Sequence, residues 1–240
     1  PELPFLDEQA LRALFRTALD ASGLEASLPP ESAAMLSVTG PERLGMFLHA
    51  QPEQTEVLSL EEEYDAEIRA GGRVRRLTGN LDRVDWREQE DPEGALDEGA
   101  VILDYKTGRI KALRPDIWAD DAFWDALEPE KAAEAASDPD PEHDFLPIIA
   151  QRIPTVQLLY YCYLYGQATG KPVLDAAFVA LGEDGGERTI EERERALSLI
   201  PRLIGFILLH MELCPEFRPR EGAHCRWCSW RNVCIISSQQ

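Results

Sequence analysis

Apolar side chains recur every three or four residues in DEQALRALFRTALDA, at Leu11, Leu14, Phe15 and Leu19. That spacing predicts an amphipathic helix over residues 7–21, with Asp7 as its N-cap. Gly23 and the Pro29–Pro30 pair mark a loop, and a second helix is expected over 41–50 with Pro41 in its first turn. The period then changes. Residues 57–69, 74–86 and 100–106 read as strands, the first two joined by the Gly71–Gly72 turn. The acidic stretch 88–99 reads as a long hairpin connection. Helical spacing returns over 153–169, where Pro154 falls in the tolerated first turn. A strand over 173–181 and a helical stretch over 190–213 follow, and Pro201 is expected to kink or split that stretch. The order is helix, three-stranded meander, helix, strand: an α/β chain with a central sheet flanked by helices.

Period 2 also sorts the third strand by face. Val101, Leu103 and Tyr105 share one side, while Ile102, Asp104 and Lys106 share the other. VILDYKTG therefore sets a carboxylate beside an ammonium, and the preceding strand brings Asp82 in GNLDRVDW to the same end of the sheet. Hard divalent cations take one or two carboxylates plus substrate phosphate oxygens. Asp82, Asp104 and the carbonyl of Tyr105 meet that requirement for Mg²⁺ or Mn²⁺, and Lys106 stands where it can orient a water or neutralise a phosphate. An isolated D-x-K is more often an ordinary surface ion pair. Here it ends a β-branched apolar run and follows a second Asp-bearing strand. Asp85 is expected on the opposite side of its strand, paired with Arg83 or Arg75. Glu61, Glu62 and Glu63 read as a solvated strand entrance.

Two further patterns lie downstream. Gln157 and Tyr161, four apart in VQLLYYCYLYG, share one helical face, although a run of four tyrosines also suits a core-facing aromatic helix. Cys225, Cys228 and Cys234 in HCRWCSWRNVC have metal-ligand spacing.

Together these segments resemble the PD-(D/E)xK nuclease superfamily, and within it the RecB/AddB-type exonuclease branch, over Glu61 to about Ile235. The resemblance implies a restriction-endonuclease-like core with Asp82, Asp104 and Lys106 as the catalytic set. It also implies Gln157 and Tyr161 facing that site toward nucleic acid, and a cysteine tail of the iron–sulfur kind. A 4Fe–4S cluster takes four thiolates and a structural zinc four ligands. No cysteine precedes Cys162, so the fourth ligand falls to Cys214, to His224 or His210 in a zinc site, or to sequence before Pro1. Cys162 reads as a buried thiol. The resemblance also implies an upstream His or Glu at the metal. His49 in RLGMFLHAQ is the candidate within this chain, and a residue before Pro1 is the alternative.

Composition constrains these readings. The 240 residues, 44% of them hydrophobic, suffice for one large domain (1–240) with acidic insertions at 87–99 and 112–150 and a cysteine-rich tail at 214–236. Trp118, Phe123 and Trp124 predict a short packed helix inside the second insertion, and SDPDPEHD a solvated loop. No uninterrupted apolar run spans a bilayer. Opening on Pro suggests a trimmed chain, and three of five cysteines in one cluster suit a reducing cytoplasm better than a disulfide framework. The net charge of −20 opposes a nucleic-acid enzyme. Most of it lies in two stretches: residues 87–99 hold six acids and one base, and 116–144 hold eleven acids and one base. The expected activity is DNA phosphodiester hydrolysis, as an exonuclease beside a helicase in recombination or repair. The alternatives are an inactive DNA-binding or scaffold domain, a CRISPR-adaptation nuclease, and an unrelated zinc-binding interaction protein.

Overall fold

The computed structural model describes residues 7–52, 55–90, 94, 96–110, 115–128, 131, 145–153, 155–213, 223–226 and 228–231. Two helices open the chain, α1 (Glu8–Ser22) and α2 (Pro30–Ala50), followed by β1 (Glu56–Ala70), β2 (Arg73–Glu90) and β3 (Leu96–Lys106). After a 3₁₀ turn at Pro115–Ala119 come α3 (Asp121–Ala126), α4 (Phe145–Arg152) and α5 (Gln157–Thr169). The chain continues through β4 (Val173–Ala180), β5 (Glu187–Thr189) and α6 (Arg193–Leu213). The strands form one sheet in the order β1-β2-β3-β4-β5. All neighbours are antiparallel except β3 and β4, which are parallel. A parallel pair needs a long crossover, and α3 to α5 supply it. This is the α/β arrangement expected: antiparallel meander, helix, returning strand, helices on both faces.

Alternation along β3 builds two cores. Ile102 joins Ile68, Leu77, Leu81 and Val84 beneath Leu158, Leu159 and Cys162 of α5 and Ile200, Leu203 and Phe206 of α6. Val101 and Leu103 face the other way, against Phe47 of α2 and Leu174, Ala177 and Val179. Each fully buried Leu, Ile or Phe contributes about 1.5–3 kcal/mol relative to exposure, so this two-sided burial locks the register of β3. Asp104 and Lys106 thereby keep a fixed face.

Asp7 caps α1 as expected, its Oδ1 accepting from Ala10 N at 2.7 Å. The second helix differs. It starts at Pro30, not near Pro41, and carries Pro41 buried in its interior. The local spacing around Pro41 does not reveal the reason. The Phe15 ring of α1 lies on Gly40 and Leu11 on Gly45, so helix–helix packing offsets the missing N–H. Pro201 likewise sits inside an unbroken α6, flanked by buried Ile200 and Leu203.

The acidic stretch after Trp86 is largely strand. Glu88 faces Glu98, Gln89 faces Asp97 and Glu90 faces Leu96, so the connection expected over 88–99 shrinks to its tip. Trp118, Phe123 and Trp124 do pack as expected: Asp120 caps α3 through Phe123 N, and the Trp124 indole donates to Ile117 O at 2.8 Å. The helix predicted over 153–169 is α5, which starts at Gln157, whereas α4 and β5 lacked any sequence expectation. Pro154 and SDPDPEHD lie outside the described residues. By length and composition α6 could cross a bilayer, yet Ala196, Ile200, Leu203, Phe206 and Leu209 bury it against the sheet.

Candidate active site

The third strand ends at Lys106 beside the N-terminus of α5, and the convergent side chains meet there. Lys106 Nζ lies 2.5 Å from Asp104 Oδ2 and donates to Gln157 Oε1 at 2.9 Å. Gln157 Nε2 donates to Asp104 Oδ1 at 2.7 Å and to the Tyr161 hydroxyl oxygen at 3.1 Å. The amide orientation is thus determined by chemistry, because only its oxygen can receive an ammonium and only its nitrogen can serve a carboxylate. Asp82 enters from β2, where Oδ2 accepts the backbone N–H of Tyr105 at 2.8 Å. The structure therefore brings Asp82, Asp104, the Tyr105 peptide, Lys106, Gln157 and Tyr161 into one constellation.

Asp104 is 2% exposed, and burial raises its pKa; Lys106 opposes the rise and the nearby charge of Asp82 adds to it. Its Oδ2 is buried, and its one polar contact among the described residues is the Lys106 ammonium. A buried anionic oxygen in that condition, with a second carboxylate close by, suits a hard divalent cation. Among the described residues no three His, Cys, Asp or Glu side chains converge, so the carboxylates that could hold a cation there are Asp82 and Asp104, with the Tyr105 carbonyl as a further oxygen. Such a set matches Mg²⁺ or Mn²⁺, which keep several waters.

Other candidates stand apart. The exposed His49 ring is bonded through Nδ1 to Gly45 O at 2.9 Å, and it lines a shallow hollow with Asp184. Glu61 is exposed and accepts from Asn80 Nδ2. Asp85, fully buried, pairs with Arg83 (2.6 Å) and Arg87 (2.9 Å), and Arg87 also holds Glu187 (2.7 Å). Arg75 instead pairs with Glu212 of α6. Cys162 is buried in α5, and desolvation, reinforced by Asp175, pushes its thiol up to about 12. His210 sits within the core, stacked on Phe206. Cys225 and Cys228 are half-buried and linked by a backbone bond from Cys228 N to Cys225 O. Cys214, Cys234 and the side chain of His224 lie outside the described residues. A cleft of about 770 Å³ opens between Trp86, Arg87, Leu174 and Glu187. Its carboxylates Glu56, Glu88, Asp175 and Glu187 make it a poor seat for phosphate, and none of the convergent residues lines it.

Gly182 had no place in the sequence reading. Its N–H donates to Lys106 O at 3.2 Å, and a Cβ there would lie 2.3 Å from Thr107 O. The residue just past Lys106 is thus pinned by a turn that only glycine fits. The signal available was the ALGEDGG turn after an apolar strand. Gly182→Ala is expected to lower stability by about 1–3 kcal/mol through this backbone overlap. Urea unfolding would register that loss.

A family model described as PD-(D/E)XK nuclease superfamily matches residues 3–235. No curated protein matches the chain. Among solved structures, one titled "Crystal structure of SSO0001" is similar at 15% identity and a TM-score of 0.38, covering 94% of this chain and 80% of that one.

Proposed function

This chain belongs to the PD-(D/E)XK nuclease superfamily, and from that premise we propose that it is a divalent-metal-dependent deoxyribonuclease whose working residues are Asp82, Asp104 and Lys106. The observation that carries the reading is the convergence of two carboxylates and a lysine at the end of β3, with Asp104 Oδ2 buried against the Lys106 ammonium. Asp82 and Asp104, with the Tyr105 carbonyl, would hold Mg²⁺ or Mn²⁺. When bound, that ion supplies a water of lowered pKa and offsets charge on the phosphate. Lys106 brings a positive charge to the scissile phosphate, where charge builds in the transition state. Gln157 orients both Lys106 and Asp104 through its two amide atoms, and Tyr161 fixes the amide in turn. Tyr161 and Gln157 are half-buried, and the resemblance has them face nucleic acid.

The resemblance of the Q-x-x-x-Y and C-x2-C-x5-C patterns to RecB/AddB-type nucleases supports a finer reading. In it the enzyme acts as an exonuclease on single strands or duplex ends, in the cytoplasm, beside a helicase in recombination or repair. A CRISPR-adaptation nuclease is the nearest variant. The cysteine tail would hold a 4Fe–4S cluster, or zinc, as a structural staple; visible absorption of the purified protein separates the two.

The test is direct. Purified protein with end-labelled single-stranded DNA is expected to produce cleavage in Mn²⁺ and none in EDTA. Tight DNA binding without cleavage in any divalent metal would replace the enzyme reading with that of a DNA-holding domain.

A further inference from the structure

The first hairpin overhangs the sheet. β3 pairs with β2 only from Arg83 to Glu90 and ends three residues beyond that ladder at Lys106, so the tip of the β1–β2 hairpin continues past it as a two-stranded arm. That is also the end where Asp104, Lys106 and Gln157 meet. The tip of the arm reads RAGGRVRR: four arginines and no acid in eight residues, within a chain of 24 Lys and Arg against 44 Asp and Glu.

Pairing divides the four by face. Ala70 faces Arg73 and Ile68 faces Arg75, on the side whose alanine and isoleucine join the core. Arg73 and Arg75 both grip Glu212 of α6, which ties the arm to the body. Arg69 faces Val74 and Glu67 faces Arg76, on the outer side. Arg69 is exposed, and the Arg76 side chain is 66% exposed. Arg76 contacts Asp65 at 3.2 Å, but exposed pairs of this kind are worth only about 0–1 kcal/mol, so a phosphate can displace the carboxylate. As diagonal cross-strand neighbours, Arg69 and Arg76 stand roughly 7–8 Å apart. Guanidinium forks suit phosphate oxygens better than any other side chain does.

We propose that this arm is a phosphate-binding extension of the nuclease site: Arg69 and Arg76 contact the sugar–phosphate backbone of the nucleic acid, and the Arg73–Glu212–Arg75 clamp holds the arm in place for them. The inference rests on the nuclease reading. Six steps along the strand lead from Arg76 to Asp82, so the contact lies about 20 Å from the site, the length of about six steps of a duplex strand. An acidic chain thereby gains a local anchor for a polyanion.

The test compares wild type, Arg69→Ala/Arg76→Ala, Arg69→Gln/Arg76→Gln and, as a control on α1, Arg12→Ala. Anisotropy of a labelled strand of about 20 nucleotides, titrated without Mg²⁺ or Mn²⁺, reads affinity and its salt dependence. Both double variants are expected to bind about tenfold more weakly at low salt, with the log–log salt slope shallower by about 1.4, two single-strand contacts' worth. Arg12→Ala is expected to bind as wild type does. Unchanged affinity and slope in the double variants, or an equal loss in Arg12→Ala, would overturn the arm while leaving metal-dependent cleavage by the wild type untouched. A wild type that neither binds nor cuts DNA would sink the nuclease reading and this one together.

Discussion

Asp104→Asn is expected to reduce metal-dependent DNA cleavage by about 10³-fold or more, and Lys106→Ala by a comparable factor, because the first removes charge that holds the cation and the second removes charge that meets the phosphate as it is attacked. The two variants differ in what else they change. Asn keeps the shape of Asp104 and can still meet Gln157, but it no longer offers an anionic oxygen to a cation. Lys106→Ala leaves both carboxylates in place and removes the positive charge from the phosphate. Metal affinity, followed by titration with Mn²⁺, should therefore fall for Asp104→Asn and hold or rise for Lys106→Ala. Folding stability should move the other way from activity. Burial raises the pKa of Asp104, so its ionised form is disfavoured by the fold. The sign follows by linkage: a carboxylate with a raised folded pKa costs stability once pH climbs from the unfolded pKa through the folded one. Asn escapes that cost at neutral pH, and an unchanged or higher Tm is expected for the inactive variant. Full activity of either variant would remove the constellation from the chemistry.

The second large effect concerns stability alone. Asp85→Ala is expected to destabilise the protein by about 3–5 kcal/mol, measured by urea unfolding, because it leaves two nearly buried guanidinium groups facing each other. Arg83 and Arg87 have only 11% and 15% of their side chains exposed, and Asp85 separates them with one oxygen apiece. Burial works against both cations, and Asp85 is among the partners that keep their pKa values raised above the ordinary guanidinium value. Glu187 keeps hold of Arg87, so Arg83 suffers most. Asp85→Asn, which preserves the shape and a hydrogen-bond acceptor but not the charge, should lose less. Equal losses for Ala and Asn would assign the effect to charge; a negligible loss for Ala would mean that water reaches the pair.

This motif contains two aspartates three residues apart, and their fates show what a linear reading can separate. Period 2 put Asp82 and Asp85 on different sides of β2, and the structure has one at Tyr105 N and the other inside an ion network. A choice between Arg83 and Arg75 as partner lay beyond it. Arg83 is a neighbour in sequence, whereas Arg75 is drawn to Glu212, 137 residues further on.

What repeats over short distances was legible along the chain alone. The helix of residues 8–22 and its Asp7 cap, the three-strand meander, the face shared by Asp104 and Lys106, and the face shared by Gln157 and Tyr161 are all set by local periods of 2 or 3.6. Tertiary structure decided the rest, because the deciding contacts join residues far apart in the chain. Phe15 resting on Gly40 keeps a helix running through Pro41, against the local signal. Strand pairing carries β2 and β3 into acidic sequence despite Glu88 facing Glu98, because the register is already locked by buried residues further along. The candidate constellation itself closes over 51 residues between Lys106 and Gln157, and over 76 between Lys106 and Gly182. Periodicity can say which way a side chain points from its own element. Only packing of the elements says what it meets.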